Sequence, residues 1–278
     1  MVLSAIFLSK SPIIFKETRK DIIIMHTRAS IKEDLAALGL KPTDTILIHS
    51  SVKSLGEVEG RGEGFLHALL DYFEPGLVAF PTLSWDLVNA RQPVFSVRDT
   101  PSTTGILTEL FRKMPGVRRS LHPTHSIAAA GPDAEAFLAG HEKFDSPAHR
   151  NSPWGRLYDR GAKILFVGAS IASNTYLHGV EEWLPVPGML TEEAENLIVF
   201  DYDGNRIEVP SRRHKGAHSI YYAKMEGPFR ACGALSEGKL CDARVVVLDA
   251  RLAGDCVYEL LRKEPLFFTQ EYQEHLKG

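Results

Sequence analysis

Residues 162–183 read AKILFVGASIASNTYLHGVEEW. The first part is an apolar run, KILFV, of strand length and closed by Gly168, so it reads as a short strand ending in a glycine turn. The second part sets His178 three and four residues before Glu181 and Glu182. If that part is helical, all three share one face, because residues three and four apart are neighbours on a helix. Strand, turn and helix in this order is the unit of layered α/β proteins, whose functional groups gather in loops beyond the C-terminal ends of strands. A carboxylate beside an imidazole raises its basicity and fixes its orientation, which is what a general base needs. The same spacing also occurs on ordinary solvated helix faces, so the rest of the chain has to decide.

Working outward, the same alternation recurs. SIKEDLAALG (30–39) is expected as a helix with Ser30 as N-cap, Glu33 completing a capping box and Gly39 as the stop. TILIHSSV (45–52) reads as a buried strand, SLGEVEGRGEG (54–64) as a glycine-studded loop and EGFLHALLDYF (63–73) as a helix. GLVAFPTLSW (76–85) is a second strand, DLVNARQPVFSVRDTP (86–101) an irregular surface loop, and TGILTELFRKMPG (104–116) an amphipathic helix stopped by Pro115-Gly116. A strand near 126–130, helices at 133–142 and 154–161, and strands at 197–202, 205–209 and 243–248 complete the pattern, with at least one terminal helix after them. Strands and helices alternate through the first two-thirds, which predicts a layered α/β architecture.

The chain has 278 residues, 44% hydrophobic and 24% charged, the values of an ordinary globular protein. A formal net charge of −3, without a long basic run, excludes a general nucleic-acid binder. Three cysteines are too few for a disulfide framework and none stands at metal-ligand spacing, so a reducing, cytoplasmic setting is expected. Residues 1–24 hold two short apolar patches split by lysines and Arg19. Neither reaches the length of a membrane span. They are expected as an N-terminal extension, poorly packed or preceding a true start at Met25, with residues 25–278 as one domain.

Two further stretches carry chemistry. IHSSVKSLGEVEGRGEG (48–64) is a strand feeding a Ser-, Lys- and Gly-rich loop and then a helix, an arrangement suited to phosphate because free backbone N–H groups point at the ligand. It matches neither a P-loop nor GxGxxG. RRSLHPTHS (118–126) pairs two arginines with a serine, which suits a phosphate, while His122 and His125 are separated by Pro123 and read as a structured turn lining a pocket.

Taken in order, MHTRASIKEDLAALGL, ILIHSSVKSLGEVEGRGE, VAFPTLSW, MPGVRRSLHPTHSIAAAGPDA and NSPWGRLYDRGAKILFVGASIASNTYLHGVEE resemble the successive motifs of the aminoglycoside 3-N-acetyltransferase family, closely over residues 25–185. The resemblance implies that family's own α/β fold, distinct from the Gcn5-type acetyltransferases: one α/β/α layered domain around a central mixed sheet. It implies direct transfer of acetyl from acetyl-coenzyme A to an amine in a ternary complex, without a covalent enzyme intermediate and without a metal. His178 matches the catalytic histidine and Glu181 the carboxylate that orients it, with Glu182 adjacent. His49, Ser50, Ser51, Lys53, Ser54, Leu55 and Gly56 match the loop along the pantetheine and pyrophosphate of coenzyme A. Arg119, Ser120 and His122 match a second motif bordering that site. Thr175, just before the histidine, is a candidate to stabilise the oxyanion.

The chain also departs from the pattern. Segment 86–101 is shorter than in members that modify antibiotics, and HRNSP places Asn151 where they carry a carboxylate. Acceptor contacts are expected from Asp86, Asp99, Asn151 and Glu182, with Glu57 and Glu181 as further acidic candidates. The acidic lining for a polyamine sugar is therefore expected to be thin. The partner is a small-molecule amine, with no nucleic acid or membrane, on a monomer or homodimer. Two other readings are a metal-dependent hydrolase using His122, His125, His178 and Glu181, and a non-catalytic binding module. The segment RRHKGAHSIYY (212–222) either helps close the acceptor site or covers the sheet, and covering the sheet is the expectation.

Overall fold

Alternate residues of the central strands point into two different cores, which is what makes the molecule three layers. The structure is a computed structural model and describes residues 25–184 and 186–275; the expected N-terminal extension lies outside them. A seven-stranded mixed sheet runs in the order β11 (Leu235–Leu240), β12 (Ala243–Asp249), β8 (Lys163–Val167), β2 (Thr45–Ser50), β4 (Leu77–Pro81), β7 (Ile127–Ala130) and β6 (Arg118–Arg119). The three middle strands, β8, β2 and β4, are mutually parallel, and the outer pairs are antiparallel. Leu47, Ala79, Ile164 and Phe166 face one core, and Ile46, Ile48, Val78, Phe80, Leu165 and Val167 face the other. Strands buried on both sides read as continuous apolar runs, as KILFV does.

The first core is closed by α4 (Ala134–Leu138), α5 (Pro153–Arg160), α6 (Thr175–Trp183), α7 (Glu226–Ala231) and α8 (Ala250–Lys263), and the second by α1 (Arg28–Ala37), α2 (Arg61–Tyr72) and α3 (Ile106–Phe111). A two-residue pairing of β1 (Met25–His26) with β3 (Glu57–Val58) and a last helix α9 (Gln270–His275) complete this body. Among the described residues no helix is long and apolar enough to cross a membrane.

Two local expectations are corrected. α1 begins at Arg28, with Thr27 as its cap: Thr27 Oγ1 accepts the Ser30 N–H and Ser30 Oγ accepts the Thr27 N–H, so Ser30 is the third helical residue and Glu33 takes no part in the box. Segment 86–101 is not wholly irregular. It contributes β5 (Val94–Ser96), which pairs in parallel with β9 (Glu195–Phe200), itself antiparallel to β10 (Arg206–Ser211). This small sheet has its own core of Val88, Phe95, Val97, Leu197, Val199 and Val209.

Candidate active site

A cavity of about 650 Å³ opens at the C-terminal ends of the three parallel strands. His49 and Ser50 reach it from the end of β2, Pro81 from the end of β4, and Ala169, Ala172, Ser173, Asn174 and Thr175 from the segment after β8. The volume lies within the range of small-molecule sites. The turn that leaves β8 is held close to its neighbour: Gly168 has φ +60°, and a Cβ there would lie 1.8 Å from Ser54 Oγ. Only glycine suits that backbone and that approach.

α6 carries His178 in its first turn and presents it to the cavity, its side chain 17% exposed. The direct distance from His178 Nδ1 to Glu181 Oε2 is 3.6 Å. The gap is bridged by Tyr222, whose hydroxyl lies 2.6 Å from His178 Nδ1 and donates to Glu181 Oε2. A phenol has one proton, so a hydroxyl that donates to the carboxylate accepts from the ring, and Nδ1 carries the hydrogen. The lone pair of His178 is thereby left on Nε2. Glu181 is fully buried, and its Oε1 lies 2.6 Å from His218 Nδ1.

The electrostatics agree with this order. Burial pushes the Glu181 carboxyl up, but the neighbouring His178 and His218 outweigh it and hold the group down at about 2. Burial, reinforced by Glu181, raises the Tyr222 phenol well above its ordinary value, so it stays protonated. Burial lowers His178 to about 4, with His214 adding to the effect and Glu181 opposing it. At neutral pH the relay is a carboxylate, a phenol and a neutral imidazole.

Other histidines surround it. His178 stacks on His214 at 4.5 Å between ring centres, and His214 Nε2 lies 2.6 Å from Glu182 Oε1, which also accepts the Ala148 N–H. His125 meets His214 edge-on at 4.9 Å and has its Nδ1 2.9 Å from Thr124 Oγ1. The ring of His122 is turned inward, its Nδ1 accepting the backbone N–H groups of Thr124 and His125. Of the hydrolase reading's residues, His122 Nδ1 is held by its own turn and Glu181 by Tyr222 and His218. These four residues do not form a group of three or more whose ligand atoms all lie within 4.8 Å of one another among the described residues. Among the described residues, His26, Asp34 and Cys241 bring ligand atoms within 4.8 Å of one another, and none of them lines the cavity.

Of the residues expected to hold coenzyme, the structure brings His49 and Ser50 to the cavity wall and leaves the others away from it. Ser51 to Gly56 fold as a single 3₁₀ turn and its exit, with Ser54 Oγ donating to Ser51 O, Lys53 exposed, Leu55 in the core and Gly56 against the Asp242 side chain. Arg119 is a clamp between the two sheets. Its buried guanidinium lies over the Phe95 ring at 4.7 Å and donates to Ser126 Oγ at 2.9 Å, Thr82 O at 2.7 Å and Thr100 O at 2.5 Å. Ser120 accepts the Ile127 N–H and bonds His141 Nδ1. Of the expected acceptor contacts, Asp86, Asp99 and Asn151 are exposed and do not line the cavity, Asp99 bonding Ser96 instead, and Glu182 stands behind His214. Segment 212–222 does more than cover the sheet: it supplies His214, His218 and Tyr222 to the relay. The signal was its density of ring side chains, two histidines and two tyrosines within eleven residues.

The model of a family described as aminoglycoside 3-N-acetyltransferase matches residues 47–262. The aminoglycoside N(3')-acetyltransferase-like protein YokD of Bacillus subtilis, described as prophage-derived, is 33% identical over 203 residues, covering 66% of this chain and 73% of that protein. Aminoglycoside N(3)-acetyltransferase III of Salmonella sp. is 33% identical over 212 residues, with the same two coverages. Among solved structures, AAC-IIIb in binary complex with CoASH superposes with a TM-score of 0.76 at 27% identity, covering 87% of this chain and 98% of that one. The structure of YokD gives a TM-score of 0.75 at 27% identity, covering 86% and 94%.

Proposed function

The chain belongs to the aminoglycoside 3-N-acetyltransferase family, and on that footing we propose that residues 25–278 act as one unit that transfers acetyl from acetyl-coenzyme A directly to an amine, the 3-amino group of an aminoglycoside or of a related amino sugar. The observation that carries the reading is the relay Glu181–Tyr222–His178 ending at the cavity wall. An amine near neutral pH is mostly protonated and does not attack a thioester until a base removes its proton. His178 Nε2 is that base. As it takes the proton, Nδ1–H keeps its bond to Tyr222, Tyr222 keeps its bond to Glu181, and the buried carboxylate offsets the charge of the imidazolium. A carbon–nitrogen bond forms and the carbon–sulfur bond breaks; of the two protons the ammonium loses, His178 passes one to the departing thiolate and the other goes to solvent.

The wall suits the neutral arm of the coenzyme. His49 Nε2 is buried without a partner, and both polar atoms of the Asn174 side chain are buried and unpartnered. Buried groups of this kind are completed by a ligand or water, and the amides of a pantetheine arm match them. Thr175, whose hydroxyl has no hydrogen bond among the described residues, stands at the start of α6 beside His178, where a donor stabilises the oxyanion. The setting we infer is cytoplasmic, where the thiols of Cys232, Cys241 and Cys256 stay reduced. The test follows coenzyme A thiol release from acetyl-coenzyme A with an amine panel. His178→Ala should lower kcat by about 10²–10⁴, the scale of general acid–base catalysis, while calorimetry still shows acetyl-coenzyme A binding. Near-normal turnover in that variant would refute the role.

A further inference from the structure

The cavity wall carries almost no charge. Among the described residues that line it there is no aspartate and no glutamate, and the one arginine, Arg213, is fully engaged. Its Nε lies 2.8 Å from Glu195, and its two terminal nitrogens donate to Trp85 O at 2.9 Å and Val88 O at 2.6 Å. The two carboxylates nearest the base, Glu181 and Glu182, stand behind the rings of His178 and His214 and are bonded to Tyr222, His218, His214 and the Ala148 N–H. Their field converges on one point of the wall, the His178–His214 stack.

What the wall offers elsewhere is neutral. Beyond Asn174 and Thr175, which serve the coenzyme and the oxyanion, Ser50 and Ser219 line the cavity, and neither hydroxyl has a hydrogen-bond partner among the described residues. A hydroxyl both donates and accepts. Such a set matches the hydroxyls of a sugar. It does not match a second or third ammonium, which would enter the cavity without a carboxylate to receive it, and an ammonium removed from water without a partner is strongly disfavoured.

We infer that the acceptor of this site is a hydroxyl-rich molecule bearing a single amine, a monoamino sugar or amino alcohol, and that polyamine sugars are its poorer substrates. The inference rests on the acetyl-transfer reading above and specifies its acceptor. One ammonium is served by the carboxylates behind His178, and the remaining contacts are made by neutral donors and acceptors.

The experiment measures kcat/KM for thiol release from acetyl-coenzyme A with the full chain, using glucosamine and 3-amino-3-deoxyglucose against gentamicin. The better monoamine should exceed gentamicin by about tenfold or more, the worth of one unmade charge-assisted hydrogen bond. Ser219→Asp, which adds a carboxylate to the wall, should shift that ratio toward gentamicin by about tenfold on the same scale. Gentamicin preferred by the wild-type chain, or a ratio unmoved by Ser219→Asp, would overturn the inference and leave acetyl transfer standing. Binding of acetyl-coenzyme A in calorimetry, with thiol release to none of the amines, would overturn the transfer reading itself and the inference with it.

Discussion

Two segments of this molecule, 118–126 and 175–183, each carry a Leu-His pair, Leu121-His122 and Leu177-His178, and put the histidine to opposite use. In the first, Arg119, Ser120 and His122 turn their polar atoms inward, onto Thr82, Ser126, His141 and the backbone of their own turn. In the second, His178 has one nitrogen fixed by Tyr222 and keeps the other for the cavity. A histidine or arginine in a motif is therefore not a functional group by virtue of its type. What decides is where its free atom is turned: His122 Nε2 is also without a partner, but that ring is buried away from the cavity that His178 lines.

The sharpest way to break this contrast is acid. Burial lowers His49 and His141 to about 3 and His178 to about 4, and lowers His122 and His125 well below the ordinary imidazole value. The folded state refuses protons that the unfolded chain accepts below about 6.5. The stability these rings contribute is complete above that pH and is lost as pH falls from about 6.5 toward about 4 for His178 and about 3 for His49 and His141. Each such ring adds a slope of up to about 1.4 kcal/mol per pH unit. Denaturant unfolding at pH 7 and pH 5 should differ by several kcal/mol. Glu181 acts lower, since its folded value is depressed, and its contribution is lost between about 4.5 and 2. A flat profile between pH 7 and 5 would mean that the inward-turned rings are solvated and the contrast is false.

Next in size is Arg119→Ala. It removes a buried guanidinium and strands the carbonyls of Thr82 and Thr100, at a cost of about 3 kcal/mol of stability. The folded fraction should keep its KM for acetyl-coenzyme A. A KM raised about tenfold, the worth of one charge-assisted hydrogen bond, with stability unchanged, would return Arg119 to the coenzyme. Tyr222→Phe sharpens the other side. Without the hydroxyl, His178 Nδ1 faces Glu181 across 3.6 Å, and kcat should fall about 10- to 100-fold, less than loss of the base itself. Because Tyr222 positions the ring and touches neither substrate, both KM values should hold. An equal loss in kcat/KM through KM alone would assign Tyr222 to binding.

Much of this was legible in residues 162–183. The apolar run, the glycine turn and the helix face are local patterns, and β8, Gly168 and α6 follow them. The burial of β2 on both faces was equally plain, because strands covered on both sides leave no polar alternation. Tyr222 and His218 were not legible, since they meet His178 and Glu181 across 44 and 37 residues of chain. No periodicity reports such a meeting. β5 was hidden for a related reason: its segment is polar, and its strand exists because β9, far along the chain, pairs with it. The cap of α1 was misplaced by one turn, Thr27 and Ser30 both being good capping residues and only the tertiary path choosing between them. Arg119 resembled a phosphate ligand until Phe95 and Thr82 were seen to enclose it.

The glycine that leaves β8 bears on any effort to redesign this wall. With Ser54 lying against the space where a side chain would be, position 168 is closed to variation. Libraries seeking new acceptors do better at Ser219, which lines the cavity on a separate stretch of chain, provided that His218 and Tyr222 on either side of it keep their bonds to the relay.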